Sequence, residues 1–242
     1  MELYNDVLVR IRALLPAAPM IRAPYDPTAC APEGEKDRIL FRADTAYELG
    51  GGGKPGAQAV LFADLAEHRS ETLLYGPDLS DIAGDAPFCH FTVVELKETD
   101  EAALSTERLK TVGFTVFQLY PAGYHIRISP AACREQVRVA KAALRAGQPL
   151  SFVHVGNSLI RAFLRQHDVN SVRTVFITDP GADYKALSAL AGQAKRITDA
   201  VQSTLQMDEL DCASCRMKPV CDEIDGLREL HFQKEGKTRD HQ

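Results

Sequence analysis

The sequence predicts an α/β (α+β) fold in which helices flank a mixed sheet, followed by a small C-terminal Cys-rich segment that binds a metal or a cluster. Runs of β-branched and apolar residues such as "FCHFTVVELKE" are typical of strands. In the second half of the chain such runs alternate with stretches of helical periodicity, which favours βαβ units and a parallel or mixed sheet. Three cysteines and a histidine within 210–231 set the tail apart.

Three parts are expected: an N-terminal helix and Pro-rich arm at 1–37, an α/β domain at 38–207, and a Cys-rich cluster-binding tail at 208–242. Apolar residues at helical spacing before Pro16 predict the opening helix. The five prolines from Pro16 to Pro32 predict an extended connector rather than a packed element, because proline cannot donate a backbone hydrogen bond.

Local patterns predict the elements of the α/β domain. Two strands should flank Gly50–Gly53, interpreted as a flexible hairpin loop, because the Lys-Ser/Thr ending of a phosphate-binding loop is missing. Further strands are expected at "ETLLYGPDL", "FCHFTVVELKE", "YHIRIS", "LSFVHVG" and "VRTVFITD", whereas "STERLKTVGFTVFQLY" fits a helix or a strand. Helices are expected from Pro130 to Gly147 with Cys133 on the buried face, at "NSLIRAFLRQH" with Asn157 as the N-cap, and after "DPGAD", where Leu187, Leu190, Ala194, Ile197, Val201 and Leu205 share one face.

Composition argues against several classes of function. A net charge of -5 and the lack of a basic run argue against a nucleic-acid partner. The sequence contains no run of about 18 apolar residues, so no membrane span is expected. The N-terminus lacks the pattern of a signal peptide, so we expect a cytoplasmic location. In a reducing compartment clustered cysteines are metal ligands or catalytic groups more often than disulfides. The other three cysteines are expected to be ordinary thiols: Cys30, Cys89 and Cys133.

The tail carries the strongest chemical signal. Cys212 and Cys215 form C-x2-C, which lets two thiolates face one metal from a single turn, and Cys221 follows after five residues. Thiolates select zinc, copper(I) or iron-sulfur clusters. Zinc in a closed site and a [4Fe-4S] cluster both require four ligands, and both stay open at this point.

Several phrases, taken in order, resemble the β subunit of the carbon monoxide dehydrogenase/acetyl-CoA synthase family. They are "YELGG" at 47–51, "LLYGPDLSDI" at 73–82, "HIRIS" at 125–129, "FVHVGNSLIRAF" at 152–163, "VRTVFITD" at 172–179, and the cysteine cluster. The resemblance spans roughly residues 40 to 231. It implies a middle α+β domain followed by only the beginning of the family's catalytic domain.

The resemblance also implies a ligand set. In the family a [4Fe-4S] cluster is held by C-x2-C and two later cysteines, and the first three carry over to Cys212, Cys215 and Cys221, with the second gap shortened. After nine further residues His231 replaces the family's fourth cysteine. The alternatives for the fourth ligand are Cys30 or Cys89, a neighbouring subunit or an exogenous molecule.

The family's nickel site does not carry over. No Cys-Gly-Cys pair occurs in the sequence, so nickel is not expected, and His125 stands where the family has a tryptophan associated with CoA binding. Three arginines in the matched phrases are candidates for binding a phosphate-bearing cofactor, since a guanidinium fork suits phosphate, although surface ion pairs are the commoner use: Arg127, Arg161 and Arg173.

The expected function is that of an iron-sulfur ([4Fe-4S]) protein of anaerobic one-carbon, CO or CoA metabolism, serving in redox, sensing or small-molecule binding and not in acetyl-CoA synthesis by itself. The alternative is a zinc-stapled assembly or interaction subunit of a larger enzyme complex. Both a protein partner in such a complex and a homo-oligomer stay open. Whether the chain is an enzyme stays open, because its scattered Asp and His residues form no triad or carboxylate pair.

Overall fold

The computed structural model describes residues 3–35, 40–97, 111–147 and 150–206. Within them the chain is α+β, with a mixed sheet and flanking helices as predicted, and it also contains a second, smaller sheet. The Cys-rich tail at 208–242 lies outside the described residues. No helix within the described part is long and apolar enough to cross a membrane.

The elements are numbered in chain order. The strands are β1 Ile21–Pro24, β2 Thr45–Leu49, β3 Gly56–Phe62, β4 Glu71–Tyr75, β5 Phe88–Leu96, β6 Tyr124–Ser129, β7 Arg134–Ala140 and β8 Val169–Ile177. The helices are α1 Asn5–Ala13, α2 Lys141–Arg145, α3 Phe152–Leu164 and α4 Tyr184–Gln206. The segment that fitted both helix and strand is helical at 111–114 and continues as a 3-10 turn at Thr115–Gln118.

The larger sheet has five strands in the order β1-β4-β8-β5-β3. The pairs β4–β8 and β3–β5 are parallel, whereas β1–β4 and β5–β8 are antiparallel. Every residue of β5 is buried, as expected for a central strand covered on both faces. The mixed order confirms the predicted mixed sheet.

The Pro-rich arm does not remain outside this sheet. Ile21–Pro24 pairs with β4 as an edge strand, which differs from the expected unpacked connector. Proline is tolerated on an edge strand, because its missing N–H can face away from the partner strand. Helix α1 forms as predicted and packs against α4, where the Tyr4 hydroxyl lies 2.8 Å from Thr198 Oγ1.

The smaller sheet is antiparallel, in the order β2-β7-β6. Because β2 pairs with β7 while β3 pairs with β5, the glycine-rich segment Gly50–Gly53 joins two sheets, and the hairpin interpretation is wrong. Gly50 has a φ of 63°, and a Cβ there would overlap the carbonyl of Glu135. Glycine therefore allows the two sheets to approach each other at this crossing.

The helix expected from Pro130 to Gly147 is mostly a strand. Pro130–Ala132 forms a 3-10 turn, Cys133 adopts a left-handed φ of 47°, and β7 follows. Only Lys141–Arg145 is helical. Alternate residues of β7 are buried, a period-two pattern that the helical spacing of the apolar residues had masked. Cys133 is buried, as predicted.

Helix α3 covers both the predicted strand "LSFVHVG" and the predicted helix after it. Its N-cap is Ser151, whose side chain accepts a hydrogen bond from the His154 amide, so the Asn157 cap was wrong. Asn157 lies inside the helix, where its side chain contacts the arm at Asp26 and Ala29. A short apolar run cannot distinguish a buried strand from a buried helix, which explains the error.

Helices and the smaller sheet cover the two faces of the five-stranded sheet. On one face His90 of β5 contacts Glu135 of β7, and α3 packs against β4 and β8. On the other face α4 packs against β3 and β5. The predicted long helix α4 is confirmed, with Leu187, Leu190, Ala194, Ile197 and Val201 buried.

Candidate functional site

A cleft of about 870 Å³ lies beside β6, which is the outer strand of the smaller sheet within the described residues. The turn at 119–123, strand β6 and helix α2 form its walls, and Glu33 and Glu35 of the arm also border it. Small residues such as Gly123 and Ala143 leave the cleft open, because they project little volume into it. Its size suits a small organic ligand.

Arg127 is the predicted site residue that borders this cleft. It is exposed, and it has no hydrogen-bonding or charged partner within the part of the chain that the structure describes. Arg138, the other arginine at the cleft, donates from Nε to Glu48 Oε1 at 2.6 Å and from Nη1 to the Leu40 carbonyl at 2.8 Å. Arg127 therefore offers a guanidinium available to an anionic ligand, whereas Arg138 is already used in the fold.

Arg161 lies on helix α3, not on the sheet edge that carries Arg127. Its Nη2 atom is 3.7 Å from Glu33 Oε1, and Glu33 also borders the cleft. The Glu33 side chain is 81% exposed, so this contact is a weak surface ion pair. Arg161 is therefore near one end of the cleft but paired with an acidic residue.

Arg173 of β8 is used in a structural cluster. Its Nε donates to Glu71 Oε1 at 2.7 Å, while Arg22 Nε donates to Glu71 Oε2 at 2.7 Å. Burial raises the pKa of the Glu71 carboxyl, but hydrogen bonds and charge from the two arginines outweigh burial and hold the pKa below its usual value. The structure thus distributes the three predicted arginines over β6, α3 and β8 rather than gathering them.

The described cysteines differ in their capacity to bind a metal. Cys89 is fully buried, and burial raises the pKa of its thiol to about 12. Burial also raises the pKa of the Cys133 thiol. Both are therefore neutral thiols in the described structure. Cys30 is partly exposed, and its Sγ lies 3.5 Å from the Pro27 carbonyl.

A buried polar cluster lies between the two sheets. His90 Nδ1 is 3.0 Å from Glu135 Oε2, and His90 Nε2 is 3.0 Å from Thr174 Oγ1 and 3.1 Å from Thr92 Oγ1. His90 and Glu135 are each 1% exposed. Sequence reasoning missed Glu135 because it assigned that segment to a helix, although the alternation of Glu135, Val137 and Val139 was the available signal.

Tyr124 connects the cleft with this cluster. It borders the cleft, and its ring packs edge-on against Phe152 at a centroid distance of 6.3 Å. Burial raises the pKa of the Tyr124 hydroxyl well above its usual value, and the charges of Glu135 and Asp78 add to this effect. Tyr124 is therefore a neutral hydroxyl in an acidic, buried environment.

Asp78 has a structural role. Its Oδ1 accepts hydrogen bonds from the amides of Leu79 at 2.8 Å and Phe152 at 2.7 Å. The carboxylate therefore occupies the N-terminus of α3, where a helix dipole favours negative charge.

Metal ligands are not assembled within the described ranges. No group of three or more His, Cys, Asp or Glu side chains able to hold a metal ion occurs in residues 3–35, 40–97, 111–147 and 150–206. The predicted ligands Cys212, Cys215, Cys221 and His231 lie outside these ranges. The described part of α4 reaches Gln206, a few residues before Cys212.

Comparison with known proteins adds no assignment. No protein-family model matches the chain, and no curated protein sequence matches it. The function must therefore be argued from the cysteine spacing, the donor chemistry and the geometry of the cleft.

Proposed function

We propose that the chain is an iron-sulfur protein related to the carbon monoxide dehydrogenase/acetyl-CoA synthase β subunit, and that a [4Fe-4S] cluster is held by Cys212, Cys215, Cys221 and His231. The observation that carries the proposal is the C-x2-C-x5-C spacing in a tail whose next histidine follows after nine residues. Three thiolates and one imidazole provide the four ligands that a cluster needs, and the same set would also suit zinc.

The described thiols support this choice of ligands. Cys89 and Cys133 are buried, and no group of metal ligands surrounds either of them within the described residues. Cys30 is the described cysteine that stays partly exposed, so it is the alternative to His231 from within the chain. Among the described cysteines, Cys30 is thus the one that we retain as a further candidate ligand.

In this proposal the cluster supplies electron transfer or a reactive iron, while the α+β domain binds the small molecule. Histidine in place of a cysteine removes one negative charge from the cluster surroundings, which raises the reduction potential, as mixed ligation does in Rieske centres. Arg127 at the cleft is the binding residue best suited to a phosphate-bearing ligand, because its guanidinium has no partner among the described residues. The protein would act in the cytoplasm in anaerobic one-carbon metabolism, beside a partner enzyme.

Metal analysis of protein purified without oxygen tests the proposal. We expect about four irons per chain, brown thiolate-to-iron absorbance and an electron paramagnetic resonance signal after reduction. Cys212→Ser should lose most of the iron, whereas Cys133→Ser, a matched change at a buried thiol, should retain it. Colourless protein with one zinc per chain would instead indicate the zinc-stapled interaction subunit.

The fourth ligand is tested by two further variants. If His231 is a ligand, His231→Ala should change the reduced spectrum and lower the cluster content, while His167→Ala at an exposed histidine should leave both unchanged. If Cys30→Ser loses iron while His231→Ala keeps its iron content and spectrum, Cys30 and not His231 is the fourth ligand.

A further inference from the structure

The turn between β3 and β4 presents a histidine at the surface in an unusual backbone conformation. Glu67 and His68 have φ values of 61° and 47°, in the left-handed region that residues other than glycine seldom adopt. The side chain of His68 is 72% exposed. Two successive residues in this region persist only where surrounding contacts hold them, and strain of this kind concentrates at functional sites.

A buried carboxylate on β5 holds the imidazole of His68. Glu95 Oε1 is 2.7 Å from His68 Nδ1, and the Glu95 side chain is 4% exposed. Ser171 Oγ donates to Glu95 Oε2 at 2.6 Å, and Asn170 Nδ2 donates to the same oxygen at 2.9 Å. Burial raises the pKa of the Glu95 carboxyl, but the hydrogen bonds from Ser171, His68, the Leu65 amide and Asn170 outweigh burial and hold the pKa below its usual value. Glu95 is therefore an ionised carboxylate fixed from several sides.

This contact determines which ring nitrogen of His68 is available. Because an ionised carboxylate can only accept hydrogen bonds, Nδ1 of His68 carries the proton that it donates to Glu95. Nε2 then keeps its lone pair, and it makes no hydrogen bond within the described part of the chain. A neutral imidazole nitrogen on an exposed side chain is a nucleophile.

The surroundings of His68 favour one use of this nitrogen. Metal binding would require further ligands, and no group of three possible ligands includes His68 in the ranges that the structure describes. The next residue, Arg69, is exposed and pairs with Glu67, which is also exposed, at 2.9 Å. A surface ion pair of this kind is weak, so the guanidinium can bind phosphoryl oxygens instead.

We propose that His68 is a phosphoryl acceptor, and that its Nε2 is phosphorylated by a donor that carries an acyl phosphate or phosphoramidate group. The lone pair of Nε2 forms the N–P bond, while the bond from phosphorus to the leaving group breaks and its electron pair goes to the leaving group. The proton on Nδ1 stays on the ring, which becomes cationic, and the Glu95 carboxylate balances that charge. This modification is independent of the iron-sulfur cluster.

Potassium phosphoramidate, which transfers its phosphoryl group to histidine without an enzyme, tests this site on the full chain. Mass spectrometry of peptides identifies the labelled residue, and phosphorus NMR distinguishes attachment at Nε2 from attachment at Nδ1. His167 is the internal control, because it is 93% exposed but its Nε2 lies 2.7 Å from Asp168 Oδ1. We expect His68 to be labelled at Nε2, at least about tenfold faster than His167.

Two variants separate the ring from the carboxylate that holds it. His68→Asn should lose the label but keep the turn, because asparagine tolerates the left-handed region. Glu95→Gln should slow the labelling of His68 by at least about tenfold, since glutamine cannot balance the charge that develops on the ring. Asp168→Asn is the matched control for the carboxylate and should leave the labelling of His68 unchanged. Circular dichroism checks that each variant is folded.

Three results would overturn the inference. They are equal rates of labelling at His68 and His167, attachment at Nδ1 of His68, and an unchanged rate at His68 in a folded Glu95→Gln variant. The first two are measured on the unsubstituted chain, so they test the site even if Glu95→Gln does not fold.

Discussion

At the scale of single residues, Glu71 shows how charge is buried in this protein. The carboxylate is almost fully buried, yet Arg22 donates to both of its oxygens and Arg173 donates to Oε1. Two guanidinium groups on the two strands that flank β4 thus compensate for the lost hydration of one carboxylate. The cluster ties the edge strand β1 to β4 and β8, so it is important for the arm as well as for the sheet.

The lowered pKa of Glu71 predicts a loss of stability in acid. An unfolded glutamate has a pKa of about 4.3, and the folded pKa lies below the usual value. The stabilising contribution is therefore fully present above the unfolded pKa and is lost as the pH falls through the folded pKa. Glu71→Gln should unfold with a free energy lower by roughly 1–3 kcal/mol at pH 7, and its stability should depend less on pH below pH 5.

Urea denaturation at a series of pH values measures both effects. Glu67→Gln is the control, because Glu67 is 71% exposed in its ion pair with Arg69 and should change the stability by less than about 0.5 kcal/mol. A Glu71→Gln variant whose pH dependence equals that of the parent would contradict the assignment of the lowered pKa.

At the scale of elements, the packing of α3 on the sheet depends on one glycine. Gly156 faces Thr72 and Thr174, which lie opposite each other on β4 and β8. A Cβ at this position would come within 2.8 Å of Thr72 Cγ2 and 3.0 Å of Thr174 Cγ2. The helix can therefore approach the sheet closely only because residue 156 has no side chain.

Two glycine-to-alanine variants test this packing. Gly156→Ala should destabilise the protein by about 1–3 kcal/mol, since the added methyl group overpacks the helix-sheet contact. Gly192→Ala is the matched control inside α4, where the nearest atom would be Arg196 Nη1 at 3.8 Å. Alanine favours the helix by up to about 1 kcal/mol, so this variant should be stabilised. The midpoints of thermal unfolding of both variants test this prediction. Equal midpoints would contradict the close approach of α3 to the sheet at Gly156.

At the scale of the whole molecule, an aromatic cluster joins the two sheets and α3. The ring of Phe152 stacks on Phe88 at 5.7 Å, contacts Phe176 at 4.7 Å and meets Tyr124 edge-on at 6.3 Å. Phe88 and Phe176 belong to the larger sheet, whereas Tyr124 belongs to the smaller one. Both sheets therefore share one hydrophobic core and should unfold together.

Phe152→Ala should lower the free energy of unfolding by about 3–5 kcal/mol, because it leaves a cavity at the centre of this cluster. Hydrogen exchange can be measured separately on peptides from β5 and β8 of the larger sheet and from β6 and β7 of the smaller sheet. Both sets should show equal losses of protection. Phe41→Ala, at a side chain that is 65% exposed, should have little effect on either. Loss of protection in one sheet alone would show that the sheets unfold independently.

The sequence predicted those elements whose periodicity is unambiguous. The opening helix, strands β4, β5, β6 and β8 and the long helix α4 are confirmed, because their apolar residues recur at the spacing of one structure only. The errors at β7 and α3 both arise from patterns that fit two periods. The apolar residues of β7 also fit a helical spacing although buried and partly exposed residues alternate along it, and the short apolar run at the start of α3 fits a strand as well as a helix.

Some features of the candidate site could likewise be predicted from the sequence, and others could not. The cysteine spacing of the tail follows from the sequence, and the ligation of a cluster by Cys212, Cys215, Cys221 and His231 stays a prediction. The cleft beside β6, by contrast, could not be predicted, since it depends on how the arm, the turn at 119–123 and α2 meet. Which arginine stays available likewise depends on acidic partners that are distant in sequence.

The sequence by itself determined the class of fold, most of the strands, the long helix and the ligand-like spacing of the tail, because each of these depends on neighbouring residues along the chain. Tertiary structure alone decided that the glycine-rich segment crosses between two sheets, that the arm becomes an edge strand, and that His90 meets Glu135. These features depend on contacts between residues far apart in the chain, and the free energy of such contacts comes from burial and hydrogen bonding that local patterns do not encode.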